Sequence, residues 1–195
     1  MIRVRLNKLR RPLKKLRKPI SGLRKPIVRM RHLSWWRRSR GFGVHSPFAY
    51  SFIKGTLTEK TPYRQYEEFK GVSEKDFQRA CMLFRLVCRF RPSSVIITAH
   101  DELYERAVSA ADSRSVITNS GKAQLVVVND SSDFKLSMLD EDAVVYFPSV
   151  QSAEARQVWR ALFDNMKRGM TFSDGRQAVA CLFKTLPRQH YNVFC

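Results

Sequence analysis

The run Val95-Ile96-Ile97-Thr98-Ala99-His100-Asp101-Glu102-Leu103 carries more of the fold than any other nine residues of this chain. Its first four residues are apolar or β-branched without polar alternation, the pattern of a strand buried on both faces. Asp101 then stands where a helix N-cap belongs, and the residues up to Ala111 read as the helix that follows. A buried strand passing into a helix is the unit from which α/β sheets are built. Val116-Ile117-Thr118, Leu125-Val126-Val127-Val128 and Val144-Val145-Tyr146-Phe147 have the same character and extend the sheet. Ser152 to Arg168 reads as a helix burying Ala155, Val158, Trp159, Leu162 and Met166 on one stripe. Met170-Thr171-Phe172-Ser173, a turn at Asp174-Gly175-Arg176 and an apolar run from Ala178 to Phe183 follow. His190 to Phe194 is expected to pair with that run as an antiparallel edge.

Upstream of Pro92 the pattern is helical. Ser46-Pro47 joins a good N-cap to a proline at the first helical position, with Phe48 and Phe52 on one face. Thr61-Pro62 repeats the device before Tyr63, Tyr66 and Phe69. Ser73 with Asp76 resembles a capping box. It opens a helix from Glu74 to about Arg89 that buries Phe77, Cys81, Phe84 and Cys88, and Arg91-Pro92 stops it. His45 reads as a loop residue that holds its neighbours by hydrogen bonds.

Charge divides the chain. Of its 195 residues, 36 are Lys or Arg and 17 are Asp or Glu, a net charge of +19. Residues 1–40 hold 16 of the basic residues and none of the acidic ones. The chain therefore reads as a basic arm, 1–40, joined to a nearly neutral body, 41–195, helical to about residue 91 and α/β from 92. Leu9-Arg10-Arg11-Pro12, Leu16-Arg17-Lys18-Pro19 and Leu23-Arg24-Lys25-Pro26 recur every seven residues, with Lys14 and Lys15 between the first two. Apolar residues from Leu6 to Met30 step by threes and fours, as on a helical stripe, while each Pro breaks the helix. Short turns ordered by an anionic surface fit both features. A membrane leaflet suits the Leu/Ile stripe and the Trp35-Trp36 pair, which phosphate neutralisation alone would not need. Nucleic acid is the rival surface, and a plain solvated tail the bland alternative.

No run approaches the roughly 18–20 apolar residues of a membrane span. The arm lacks the apolar core of a secretory signal. Cys81, Cys88, Cys181 and Cys195 form no CxxC pair, which argues against a disulfide scaffold or zinc module and points to a reducing, cytoplasmic setting. With the arm, the expected location is the cytoplasm or the inner face of the membrane. A Cys–His nucleophile could be drawn from Cys181 or Cys195 with His190, but the apolar strand around Cys181 reads as packing. No phosphate-binding loop, GxSxG or HExxH is present.

Two stretches suggest a family. Gly41-Phe42-Gly43-Val44-His45-Ser46-Pro47-Phe48, running on to Ile53 and followed by Thr61-Pro62-Tyr63-Arg64-Gln65-Tyr66, is one. The other joins Ala155 and Trp159, an Asp-containing turn and Arg188-Gln189-His190-Tyr191. Together they resemble a group of class I methyltransferase-like proteins, many of them from Bacteroidota, over about residues 38–195. The resemblance implies a Rossmann-like sheet that binds S-adenosylmethionine at its carboxyl edge. It implies an acid and a glycine-rich turn after the first strand, an acid after the second, an Asp-Gly-Asn-His-like run after the fourth and paired Asp after the fifth.

This chain departs from that pattern in the middle. Residues 97–103 contain no glycine, the second run ends in Thr118-Asn119, and Asn129-Asp130-Ser131-Ser132 and Phe147-Pro148-Ser149 stand at the later positions. Only Asn119 to Ala123 separate Thr118 from Gln124, too few for a parallel crossover. Either Ser120-Gly121 makes a tight antiparallel turn or the two runs are not neighbours. Asp133 and Asp140-Glu141-Asp142 are expected to cap a short helix or lie in solvent. The expected fold is thus α/β, a reduced Rossmann-like sheet with flanking helices and a C-terminal antiparallel hairpin. If the family's site is retained, Asp101 and Asp130 would bind the cofactor; no catalytic or metal-binding residue is assigned. The expected function is a catalytically degenerate binding or scaffold module, open to a protein partner and tethered by its arm. An active S-adenosylmethionine-dependent enzyme with an atypical pocket and a nucleic-acid-binding protein are the alternatives.

Overall fold

The computed structural model describes residues 45–193. The residues assigned to anionic-surface binding (Arg10, Arg11, Lys14, Lys15, Arg17, Lys18, Arg24, Lys25, Trp35 and Trp36) lie outside the described residues, as do Gly41–Val44, Phe194 and Cys195.

Four helices line the body. α1, Pro47–Phe52, starts behind Ser46, whose Oγ accepts the Ala49 N–H at 3.3 Å, and it runs on into a π-helical turn, Ile53–Leu57. Thr61-Pro62 does not cap a helix. The next turn is the 3-10 stretch Arg64–Phe69, entered from Tyr63 without a side-chain cap. Tyr63, Tyr66 and Phe69 recur every three residues, the 3-10 period, so this tighter winding puts all three rings on one side. α2, Glu74–Phe90, opens on Ser73, whose Oγ accepts the Asp76 N–H, and closes at Arg91 in the left-handed region, φ 45°. α3 is Glu102–Ala111 and α4 is Ala153–Asn165. α4 ends three residues before Arg168, because Met166 turns extended; its side chain is still buried. The chain then passes Gly169, φ +111°, where a Cβ would meet the Cys181 carbonyl at 2.5 Å, so only glycine fits.

The strands are β1 Ser94–Thr98, β2 Val116–Ile117, β3 Ala123–Val128, β4 Leu139–Phe147, β5 Met170–Ser173, β6 Ala178–Cys181 and β7 Gln189–Asn192. They form one seven-stranded mixed sheet in the order β2-β1-β3-β4-β6-β5-β7. β1 to β4 are parallel to one another, β6 is antiparallel to β4 and β5, and β7 is parallel to β5. The fold is α/β with flanking helices and is compatible with a Rossmann-like architecture.

Two pairs of sequence alternatives are decided here and one expectation is overturned. β2 and β3 are not neighbours: β1 lies between them, and residues 118–122 carry the chain from one side of it to the other. The crossing is held at the amino end of β1, where Gln124 Oε1 accepts the Ser93 N–H at 2.8 Å and Ser94 Oγ accepts the Gln124 N–H. β7 is not the antiparallel partner of β6. β6 already has β4 on one edge and β5 on the other, so the free edge is that of β5, and residues 182–188 cross to it. The acids Asp140-Glu141-Asp142 cap no helix; Glu141 and Asp142 lie in solvent, the other alternative. They belong to the first half of β4, where Glu141 pairs with Lys184 at 2.7 Å and Asp142 Oδ1 accepts the Lys184 N–H.

Pleating sends alternate residues to two cores. Val95, Leu125, Val144 and Tyr146 face α1, α2 and α3, where Phe52, Phe69, Leu83 and Leu86 are buried. Ile96, Val126, Val145 and Phe147 face the other way, against Leu162 and Trp159 of α4 and Phe134 and Met138 of the segment after β3. Tyr146 is completely buried. Its hydroxyl donates to Gln177 Oε1 at 2.6 Å and lies 3.2 Å from the Arg79 carbonyl, joining α2 to the β5–β6 turn. Among the described residues no helix is long and apolar enough to cross a membrane.

Candidate functional site

In open α/β sheets ligands bind outside the carboxyl ends of the strands, where successive connections leave in opposite directions. Here that point is the seam between β1 and β3, since β1 leads outward to β2 while β3 leads to β4. The seam is laced by one side chain. Thr98 Oγ1 donates to the Asp130 carbonyl at 2.8 Å and accepts the Asp130 N–H at 3.0 Å, and Thr98 is only 3% exposed.

Beside the seam a hollow of ≈ 460 Å³ opens over the ends of β1 and β2. Its polar lining comes from His100, Glu105, Asn119, Asp133 and Lys135, and its apolar lining includes Ala99, Ile117 and Met138. His100 Nδ1 lies 2.8 Å from Glu105 Oε1 at an exposed position, an ion pair when the imidazole is protonated. Exposed pairs of this kind contribute at most about 1 kcal/mol.

Ala99 forms the turn out of β1 with φ +58°. A side chain in the left-handed region costs about 1–2 kcal/mol, which glycine avoids. The backbone thus makes the bend that a glycine turn would make, with a methyl group on it. Ala99→Gly is expected to stabilise the protein by about 0.5–1 kcal/mol once the extra chain entropy of glycine is subtracted. Urea unfolding of the two proteins reads this directly, and an unchanged or lower midpoint would show that the turn is unstrained.

Both carboxylates singled out from the sequence are engaged with nearby backbone. Asp101 Oδ1 accepts the Leu103 N–H at 3.0 Å and the Tyr104 N–H at 3.3 Å, capping α3. Asp130 Oδ1 accepts the Ser132 N–H and the Ser132 hydroxyl, each at 2.8 Å, and these bonds hold its carboxyl below the usual range. Neither lines the hollow. The acids that do are Glu105 and Asp133. Glu105 follows the cap Asp101 by one helical turn, the spacing that could have marked it in the sequence; Lys135 carries no comparable signal. Asn119 occupies the end of β2 with an amide, which donates and accepts but brings no charge.

The imagined Cys181–His190 pair does not form. Cys181 is completely buried on β6, and burial pushes its thiol far up. His190 lies across β5, its Nδ1 2.9 Å from Thr171 Oγ1 and its Nε2 3.1 Å from Asn192 Oδ1. His45 is exposed, and no hydrogen bond holds it among the described residues. No three His, Cys, Asp or Glu side chains among the described residues are grouped to hold a metal ion. Compared with family models, with curated proteins and with solved structures, the chain matches none.

Proposed function

We propose that the body is a class I methyltransferase-like module that has lost methyl transfer, binds a partner, and is held at an anionic surface by residues 1–40. The supporting feature of the architecture is the order β2-β1-β3-β4, which is the doubly wound order 3-2-1-4-5 without its third strand and the crossover to it. The observation that carries the loss of activity is the carboxyl end of β1. A methyl group stands on the turn where bare glycine backbone would approach a cofactor, and Thr98 and Asp130 stitch the seam beside it. Asn119 replaces the acid that would bond ribose hydroxyls, and Asp101 and Asp130 are occupied elsewhere. The residues present therefore do not fit S-adenosylmethionine, and no chemical step is derived through it.

A second reading, an active enzyme with an atypical pocket, is favoured by one observation. The hollow beside Ala99 has a volume within the range of small-molecule sites. Calorimetry with S-adenosylmethionine separates the two. The degenerate reading expects no saturable heat at millimolar ligand; micromolar binding that is lost on Asn119→Ala would replace it with the active one.

A further inference from the structure

A second cavity lies between the 3-10 stretch Arg64–Phe69 and the face of α2 from Phe77 to Arg85. It measures ≈ 470 Å³, and its walls include Tyr63, Tyr66, Phe77 and Arg85. The ring centroids of Tyr63 and Tyr66 are 5.3 Å apart, and Phe77 meets Tyr66 edge-on at 6.2 Å. The buried Phe84 ring backs both tyrosines at 5.3 and 5.4 Å. These rings are fixed by one another and by the three-residue spacing of the 3-10 turn.

Into this aromatic setting α2 places a guanidinium that no carboxylate pairs with among the described residues. Among the described residues, Arg85 Nη1 reaches the Tyr66 hydroxyl at 3.4 Å and Nη2 the Met82 sulfur at 3.7 Å. Its Nε is buried without a partner, and no ion pair joins Arg85 to a carboxylate among the described residues. The two acids in the cavity wall are already committed. Glu59 accepts the Tyr63 hydroxyl at 2.8 Å, and Glu67 pairs with Lys70 at 2.6 Å. Gln177, also in the wall, has its carbonyl oxygen taken by Tyr146, so its amide N–H groups remain. With Lys60, Lys70 and Arg85 against Glu59 and Glu67 the wall keeps one net positive charge, and a half-buried arginine fork matches a carboxylate in both shape and charge.

We infer that this cavity binds a small aromatic carboxylate, its ring among Tyr63, Tyr66 and Phe77 and its carboxylate on Arg85. Burial supports the chemistry by raising the Tyr66 phenol, and the bond to Glu59 lifts that of Tyr63 to about 12, so both remain neutral hydroxyls at physiological pH. The site is independent of the hollow beside Ala99, and it stands whether or not the body retains an activity there.

Ligand-observed and protein-observed NMR on the full chain test it, with 4-hydroxybenzoate and indole-3-acetate as probes, and benzamide and benzyltrimethylammonium as the uncharged and cationic controls. The carboxylates are expected to give saturable shifts confined to residues 59–85 and the surroundings of Gln177, and roughly tenfold weaker binding in Arg85→Gln, partly restored in Arg85→Lys. Benzamide binding as well as the carboxylates, tighter binding of the cation, or no saturable shift at millimolar carboxylate would overturn the assignment. If Arg85→Gln fails to fold, the mapped shifts in the unaltered protein and the Arg85→Lys affinity decide.

Discussion

Deleting residues 1–33 is expected to abolish co-sedimentation with vesicles containing phosphatidylserine while leaving the body folded. The deleted stretch holds 13 Lys and Arg and no acid. Each basic side chain near an anionic leaflet contributes about 1 kcal/mol, so engagement of roughly half of them shifts binding by about four orders of magnitude. The body does not depend on the arm for its first helix, because α1 carries its own cap, Ser46, and its own proline at the first position. Circular dichroism of the truncated chain should therefore match that of the full one. Vesicle binding that survives the deletion would remove the arm as tether. Indifference to vesicles, with an affinity for duplex DNA that falls steeply with salt, would replace the membrane by nucleic acid. Loss of structure on deletion would make the arm part of the fold.

Phe52→Ala is expected to lower stability by about 3–5 kcal/mol, a large share of the 5–15 kcal/mol available to a domain. Phe52 is completely buried, with its ring centroid 5.8 Å from Phe48, 5.6 Å from Phe90 and 4.9 Å from Phe172. It is the point where α1, α2 and β5 meet, and truncation leaves a void that the sheet cannot move to fill. The midpoint of thermal unfolding should fall by roughly 10 °C. Tyr50→Ala, two residues away and 47% exposed, should change stability by less than about 0.5 kcal/mol. Equal effects at the two positions would show that the first helix is not anchored by this ring.

The strands and helices were legible wherever one signal acted alone. Val95–Thr98, Leu125–Val128 and Val144–Phe147 announce themselves by unbroken apolar composition, and Ser46, Ser73 and Asp101 by capping chemistry, and each of these three serves as an N-cap in the fold. Adjacency was left open in one place and misread in another. Five residues after Thr118 are too few to return beside the strand just left, yet enough to step across β1 to its other side. Strand composition says nothing about which edge is still open, so β7 reads as the partner of β6 although β5 offers the vacant edge. The hollow was hidden for a different reason. Asp101 and Asp130 were the visible acids because they sit at element ends, and those same positions give them backbone N–H groups to bond. Glu105, Asn119 and Lys135 gain their place only through the folding of α3, β2 and the segment after β3 around one rim.

The two margins of the sheet differ in how they could meet another molecule. β2 is two residues long, with Val116 largely exposed, and β7 turns Gln189, His190 and Asn192 outward. Neither offers the long, flat, greasy row of unpaired amides on which foreign strands stack. Among the described residues, edge-to-edge polymerisation between copies therefore has no template, and crowding on a surface would gather many molecules without fusing these margins into fibres.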